Sequence, residues 1–185
     1  MAVNKLNKKE IKQEALKLLN QGISKQETFE ILKEKYEYAI EIANVLKKKP
    51  SVKAIEKYRK WNNILLGLLI LTSIFFILTT PMIQILIWYV FLIYTVARML
   101  VKYYIWTSIF SGFAIITYIS ILILDVNATN NLTYILPILT LVISTFILPI
   151  WLEKKMCPKP VESKVEYTNS DGQKRLKIVY QFSDL

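Results

Sequence analysis

The fold is decided between Trp61 and Trp151, where the chain reads WNNILLGLLILTSIFFILTTPMIQILIWYVFLIYTVARMLVKYYIWTSIFSGFAIITYISILILDVNATNNLTYILPILTLVISTFILPIW. These 91 residues contain only three charged side chains, Arg98, Lys102 and Asp125. A helix needs roughly 20 mostly apolar residues to cross the hydrocarbon layer of a bilayer, so the stretch has room for about four crossings joined by short turns. The sequence therefore predicts an integral membrane protein.

Polar interruptions divide this apolar stretch into four segments. The first ends at residues 79–81, where Pro81 fits a turn or the first residue of the next helix. Arg98 and Lys102 close the second segment, and the polar residues 125–131 separate the third from the fourth. The predicted spans cover about residues 63–79, 82–100, 103–124 and 132–151.

Arg98 and Lys102 also decide between a turn and one very long helix. Two unpaired cations in the middle of a membrane would cost several kcal/mol, whereas in a turn both side chains reach the lipid headgroups. We therefore expect an inner turn at these residues and an outer loop at Asp125.

Lysine and arginine residues next to the spans predict the orientation, because cations close to spans favour the cytoplasmic side. In a four-span arrangement all of them fall on one side, and the loops at residues 79–81 and 125–133 carry none. We expect both termini in the cytoplasm and the protein in the cytoplasmic membrane of a prokaryote. The membrane-orienting residues are Lys57, Arg59, Lys60, Arg98, Lys102, Lys154 and Lys155.

Aromatic residues mostly fall near the predicted span ends, where amphipathic rings favour the membrane interface. Trp88 fits this distribution least. The set comprises Trp61, Trp88, Tyr103, Tyr104, Trp106, Tyr134 and Trp151.

The first sixty residues predict a basic helical module, with fifteen lysine or arginine residues against eight glutamates. Asn7 can cap a first helix, which Gly22 ends, and Ser24 with Glu27 forms the capping-box pattern of a second. A third helix is predicted over roughly residues 38–48. Ser51 can cap a fourth helix that continues into the first span.

Residues 15–32, ALKLLNQGISKQETFEIL, resemble the opening of helix-turn-helix DNA-binding domains. The resemblance implies a recognition helix that presents Arg, Asn or Gln to base edges. The following helix instead carries Glu37 and Glu41, whose negative charge opposes a phosphate backbone. We therefore expect this module to pack against protein or the anionic membrane surface rather than nucleic acid.

The carboxy-terminal tail predicts a β-hairpin. Val165 and Tyr167 precede the turn signal at residues 169–172, and Leu176, Ile178 and Tyr180 follow it at alternating positions. An isolated hairpin is marginal in water, so it needs a partner: the amino-terminal helices, a second subunit or another protein.

Familiar catalytic chemistry is missing from the composition. The chain has no histidine, one cysteine and four scattered glycines, which predicts no catalytic residues, no metal site and no cofactor site. Serine and threonine residues inside the spans are expected to bond to their own helix or across to a neighbour rather than line a pore. Ser108 and Gly112 are helix-packing candidates, because small residues four apart allow close helix approach.

Taken together, the residues predict an all-α integral membrane protein in three parts. Residues 1–60 form the basic helical module, residues 61–152 the four-helix transmembrane region, and residues 153–185 the tail with its linker and β-hairpin. The leading hypothesis is a non-enzymatic anchoring, assembly or interaction component whose partners are the lipid bilayer and a protein or a second copy. The alternatives are a small oligomeric pore or membrane-perturbing effector, and a membrane-tethered nucleic-acid-binding regulator.

Overall fold

A computed structural model describes residues 5–36, 38–79, 83–124, 132–168 and 174–183. Within them the chain is mostly helical, with seven α-helices, one 3-10 helix and one antiparallel pair of strands. It divides into two compact units, which we call unit 1 (residues 1–56 and 156–185) and unit 2 (residues 57–155). The helices are α1 Lys5–Asn20, α2 Lys25–Tyr36, α3 Ala39–Leu46, α4 Val52–Thr79, α5 Ile83–Ala97, α6 Tyr104–Leu124 and α7 Leu132–Met156; the strands are β1 Val161–Thr168 and β2 Lys174–Gln181.

In unit 1, the turn between α1 and α2 forms as its residues predict. The N–H of Gly22 donates to the carbonyl of Leu19, and that of Ile23 to the carbonyl of Leu18, the pattern that closes a helix on a left-handed residue. Gly22 supplies that residue with φ +82°. At the start of α2, the N–H of Glu27 donates to Ser24 Oγ at 3.1 Å, while the N–H of Ser24 donates back to Glu27 Oε2 at 3.1 Å. The predicted helix end and capping box are confirmed.

Two details of the amino-terminal helices differ from the prediction. α1 already begins at Lys5, so Asn7 lies inside the helix and the prediction that it caps α1 was wrong. α3 covers Ala39–Leu46 rather than roughly residues 38–48, because the N–H groups of Lys48 and Lys49 bond three residues back and tighten the end of the helix.

The core of unit 1 joins the three amino-terminal helices to the end of the tail. Phe29 of α2 lies at its centre, with its ring 5.9 Å from that of Tyr180 and 5.5 Å from that of Phe182. The N–H of Phe182 also donates to Gln26 Oε1 at 2.9 Å. The buried members are Ile11, Ala15, Leu19, Phe29, Leu32, Ile42, Ala43, Leu46, Tyr180 and Phe182. Of the three partners considered for the hairpin, the amino-terminal helices are the one that packs on the tail.

The two strands confirm the predicted hairpin. They pair antiparallel from Val161 opposite Gln181 to Thr168 opposite Lys174. The turn predicted at residues 169–172 lies outside the described residues.

In unit 2, α4 to α7 pack side by side with alternating direction. Asn62 near the start of α4 bonds to Val96 near the end of α5, and Gly112 of α6 lies against Phe146 of α7. The ring of Trp151, near the end of α7, lies 5.4 Å from that of Trp61. The start of α4, the end of α5, the start of α6 and the end of α7 therefore share one end of the unit.

The predicted break between the second and third apolar segments is confirmed. α5 ends at Ala97, and Met99 adopts the left-handed conformation with φ +49°. The N–H of Leu100 donates to the carbonyl of Thr95, which closes α5 as Gly22 closes α1. A 3-10 turn, Val101–Tyr103, then leads into α6. Ser51 likewise caps α4 as predicted, accepting from the N–H of Ala54 at 3.3 Å.

Two helical segments among the described residues are long and apolar enough to cross a membrane, Val52–Ile77 and Leu136–Met156. Only 28% and 22% of their most apolar stretches are buried. A core helix of a water-soluble protein would be mostly buried, so this exposure indicates association with a membrane. The prediction of four spans, and the three-part division of the chain, stay predictions. The predicted outer loops at residues 80–82 and 125–131 lie outside the described residues.

Candidate functional site

A buried polar cluster joins three helices of unit 2. Asn62 of α4 is 1% exposed, and its Nδ2 donates to the carbonyl of Val96 on α5 at 3.0 Å. The hydroxyl of Tyr104, the first residue of α6, donates to Asn62 Oδ1, and Tyr104 is fully buried. One amide side chain thus ties α4 to both neighbouring helices. We call Asn62, Tyr104 and the Val96 carbonyl the polar clamp.

The polar clamp corrects one prediction and adds one residue. Tyr104 was assigned to the belt of interfacial aromatic rings because it starts a span, but its ring and hydroxyl both face the interior. Asn62 was missed. The available signal was an amide immediately inside the first apolar segment, where an unsatisfied polar group would be costly and so calls for a partner.

Most hydroxyl side chains of unit 2 bond to their own helix, as the sequence predicts. The bonds run to carbonyls three or four residues back, at 2.7 Å for Thr72 to Leu68 and 2.8 Å for Thr95 to Leu92. Gln84, also counted among the polar span residues, has a side chain outside the described set. The self-bonded hydroxyls are Thr72, Ser73, Thr95, Ser108, Thr117, Ser120, Thr140, Ser144 and Thr145.

One face of α6 is polar and buried over two turns. Tyr104, Thr107, Ser108 and Ser111 repeat at helical spacing, and each is at most 2% exposed. Among the described residues Thr107 Oγ1 has no hydrogen-bond partner. This helix therefore presents its polar face to the inside of the bundle and its apolar face outward.

Ser108 and Gly112, the predicted helix-packing residues, lie on α6 toward the interior. Ser108 is 2% exposed. A Cβ built on Gly112 would lie 3.3 Å from Cε2 of Phe146, so the missing side chain leaves room for that ring of α7. By contrast, nothing lies within 4 Å of a Cβ built on Gly67.

The predicted membrane-orienting residues are all exposed and belong to the end of unit 2 that holds the polar clamp. They come from the start of α4, the connection between α5 and α6, and the last turn of α7. Aromatic rings accompany several of them: Lys102 Nζ lies 4.2 Å from the centre of the Tyr103 ring, and the Arg98 guanidinium 5.9 Å from that of Tyr94. These seven residues are Lys57, Arg59, Lys60, Arg98, Lys102, Lys154 and Lys155.

The titratable groups of unit 1 form ion pairs rather than a reactive constellation. Glu14 of α1 accepts from Lys35 Nζ at 2.7 Å and from the Tyr36 hydroxyl at 2.7 Å. The hydrogen bond from Lys35, followed by that from Tyr36, lowers the pKa of the Glu14 carboxyl, while the bond to Glu14 raises the pKa of Lys35. Within the described parts of the chain, no three His, Cys, Asp or Glu side chains are grouped so that they could hold a metal ion.

Comparison of the chain with protein-family models, with curated proteins and with solved structures gives no match.

Proposed function

We propose that this is a non-enzymatic integral membrane protein whose four long helices cross the bilayer and hold unit 1 at the cytoplasmic face, where it takes part in protein interaction or assembly. The inverted packing of unit 2 carries the proposal. Its helices bury hydroxyl and amide side chains and expose large apolar ones, such as Ile87 at 64%, Phe113 at 63% and Leu136 at 65%.

The energetic argument follows from that exposure. Each large apolar side chain left in water forgoes about 1.5–3 kcal/mol of burial, and unit 2 exposes many of them on all four helices. A hydrocarbon solvent removes this cost. The hydroxyls exposed on the same surface, including Thr117 and Thr140, bond to their own backbone, as a lipid-facing position requires.

Helix lengths are compatible with four crossings. α6 has 21 residues, about 31 Å, close to the ~30 Å hydrocarbon thickness. α5 has 15 residues, about 22 Å. Local thinning of the bilayer can accommodate a short helix at modest cost.

The cations support the orientation. Because all seven membrane-orienting residues belong to one end of unit 2, the positive-inside tendency places that end in the cytoplasm. Both connections to unit 1, through α4 and through α7, leave unit 2 from the same end.

Exposed apolar side chains in unit 1 support an interaction role. The core already covers the end of the hairpin, yet Ile40 of α3 is 59% exposed, and Leu176 of β2 is 62% exposed. Both lie outside the core, so they are available to a protein partner or to a second copy of the chain.

Crosslinking in native membranes tests the interaction role. We expect complexes of defined mass larger than one chain, and we expect Ile40→Ser combined with Leu176→Ser to reduce them. Gln13→Ser, at an exposed polar position of α1, serves as the control and should leave them unchanged. Recovery of a solitary monomer would contradict the interaction role, and release by an alkaline carbonate wash without detergent would contradict membrane integration.

An oligomeric pore has less support. Nine hydroxyls in the spans already bond to their own helices, and charged residues are missing from the described interior of unit 2. We expect no conductance from the protein reconstituted in planar bilayers. A reproducible conductance would favour the pore instead.

A further inference from the structure

A groove of about 330 Å³ lies in unit 1 between α3 and the hairpin. Its walls come from Ala43, Asn44 and Lys47 on one side. On the other side they come from Lys159, Glu162 and Tyr180. We call this the α3 groove. Its volume equals about eleven water molecules at ~30 Å³ each, enough for a small organic ion.

The two lysines of the α3 groove are available to a ligand. Lys47 and Lys159 are exposed, and neither forms a salt bridge among the described residues, not even with Glu162 in the same groove. Three other lysines of unit 1 are each paired with a glutamate. The α3 groove therefore collects two cations that no carboxylate of the described chain neutralises.

The end of α3 does not cancel this positive charge. Helix carbonyls at a C-terminus carry partial negative charge when they lack partners. Here the carbonyls of Ala43, Val45 and Leu46 accept the N–H groups of Lys47, Lys48 and Lys49 at 3.0 to 3.3 Å. The lysine side chains thus set the charge of the groove.

We propose that the α3 groove binds a phosphate ester that also carries a hydroxyl or amine group. Lys47 and Lys159 supply the charge-assisted hydrogen bonds that a phosphate requires. Glu162 accepts a hydrogen bond from the hydroxyl or amine, and the Asn44 amide can serve either group. The carboxylate makes the site selective, because it repels a bare phosphate and favours an ester with a donor beside the phosphate.

The ester can come from solution or from a lipid headgroup. Lys159 follows Met156, the last residue of α7, by three residues, so the two lie within about 11 Å along the chain. The lipid source rests on the membrane placement given under the proposed function, whereas the soluble source does not. Failure of the membrane placement would therefore leave the soluble source intact.

Binding to the full-length protein in a neutral detergent tests the proposal. Calorimetry with glycerol 3-phosphate and with inorganic phosphate measures the soluble source. Native mass spectrometry with phosphatidylglycerol and phosphatidylcholine measures the lipid source. Lys47→Gln with Lys159→Gln should weaken binding about tenfold, the effect of losing one net charge-assisted contact. The matched control, Lys48→Gln with Lys164→Gln, removes the same charge from exposed positions outside the groove.

The outcomes separate clearly. Binding of glycerol 3-phosphate that only the groove variant weakens supports a soluble ligand, and retention of phosphatidylglycerol alone with the same dependence supports a headgroup. Glu162→Gln should keep phosphate binding and lose the preference for the ester, which checks the site without touching a lysine. Equal losses in the groove variant and its control would show general attraction of anions and overturn the proposal, as would the lack of binding to all four probes.

Discussion

Asn62→Ala should loosen the bundle of unit 2 because it removes both side-chain bonds of the polar clamp. Asn62 donates to the Val96 carbonyl at 3.0 Å and accepts from the Tyr104 hydroxyl, and all three residues are at most 1% exposed. Interhelical hydrogen bonds in membranes contribute about 0.6–2 kcal/mol each, so the expected loss is about 1–3 kcal/mol. Tyr104→Phe removes only one of the two bonds and should cost about 1 kcal/mol.

Unfolding of the purified protein by SDS in mixed micelles, followed by circular dichroism, measures these losses. Since the two residues share one bond, the double variant should cost less than the sum of the single variants by about 1 kcal/mol. Asn63→Ala is the control, because Asn63 is the next residue and is exposed. Equal effects of Asn62→Ala and Asn63→Ala, or full additivity of the Asn62 and Tyr104 changes, would refute the clamp.

Three further predictions concern single positions. Gly67→Ala should stabilise α4 by about 0.5–1 kcal/mol, because a Cβ there meets nothing within 4 Å, whereas Gly112→Leu should destabilise by about 1–3 kcal/mol since even a Cβ lies 3.3 Å from a neighbouring ring; SDS unfolding of both compares them. Met99→Gly should stabilise by about 1 kcal/mol, because φ +49° strains a residue with a Cβ, and an unchanged or lower midpoint would contradict that assignment. Glu14 has a pKa below its ordinary value of 4.5, so its stabilising effect is present above that pH and is lost as the pH falls through the folded pKa; the difference in thermal midpoint between the wild type and Glu14→Gln should therefore shrink on acidification, while Lys35, whose pKa is raised, gives up its share only at high pH.

Local signals in the sequence were sufficient to place most helix boundaries. Gly22, Ser24 and Ser51 act over three or four residues, and the bonds that they make are set by short-range backbone geometry. The break at Arg98 was predicted from the cost of burying charge. Its geometry, with a methionine rather than a glycine in the left-handed position, could not be read from residue type.

Long-range partners were the part that the sequence left open. Periodicity identified Tyr180 as an inward-facing strand residue but could not choose Phe29 as its contact. The same limit explains Tyr104, because a tyrosine at the start of a span fits the membrane interface and the bundle interior equally well. Asn62, 42 residues away in sequence, decides between them.

Trp88 illustrates the same point for an aromatic ring. It fitted the interfacial belt poorly, and its ring stacks on Phe110 of α6 at 4.6 Å. Together with Phe76 and Tyr89 it lines an apolar cavity of about 190 Å³. Packing between α5 and α6, rather than an interface, accounts for its position.

Accessibility of the α5–α6 connection tests the central claim most directly, because two and four crossings place it on opposite sides of the membrane. The protein has a single cysteine, Cys157, so Cys157→Ser with Lys102→Cys gives one reactive thiol at an exposed position. With four crossings, a membrane-impermeant maleimide should label this variant only after the cells are permeabilised, as it should label native Cys157. Labelling of the variant in intact cells would mean that only α4 and α7 cross, and it would contradict the account.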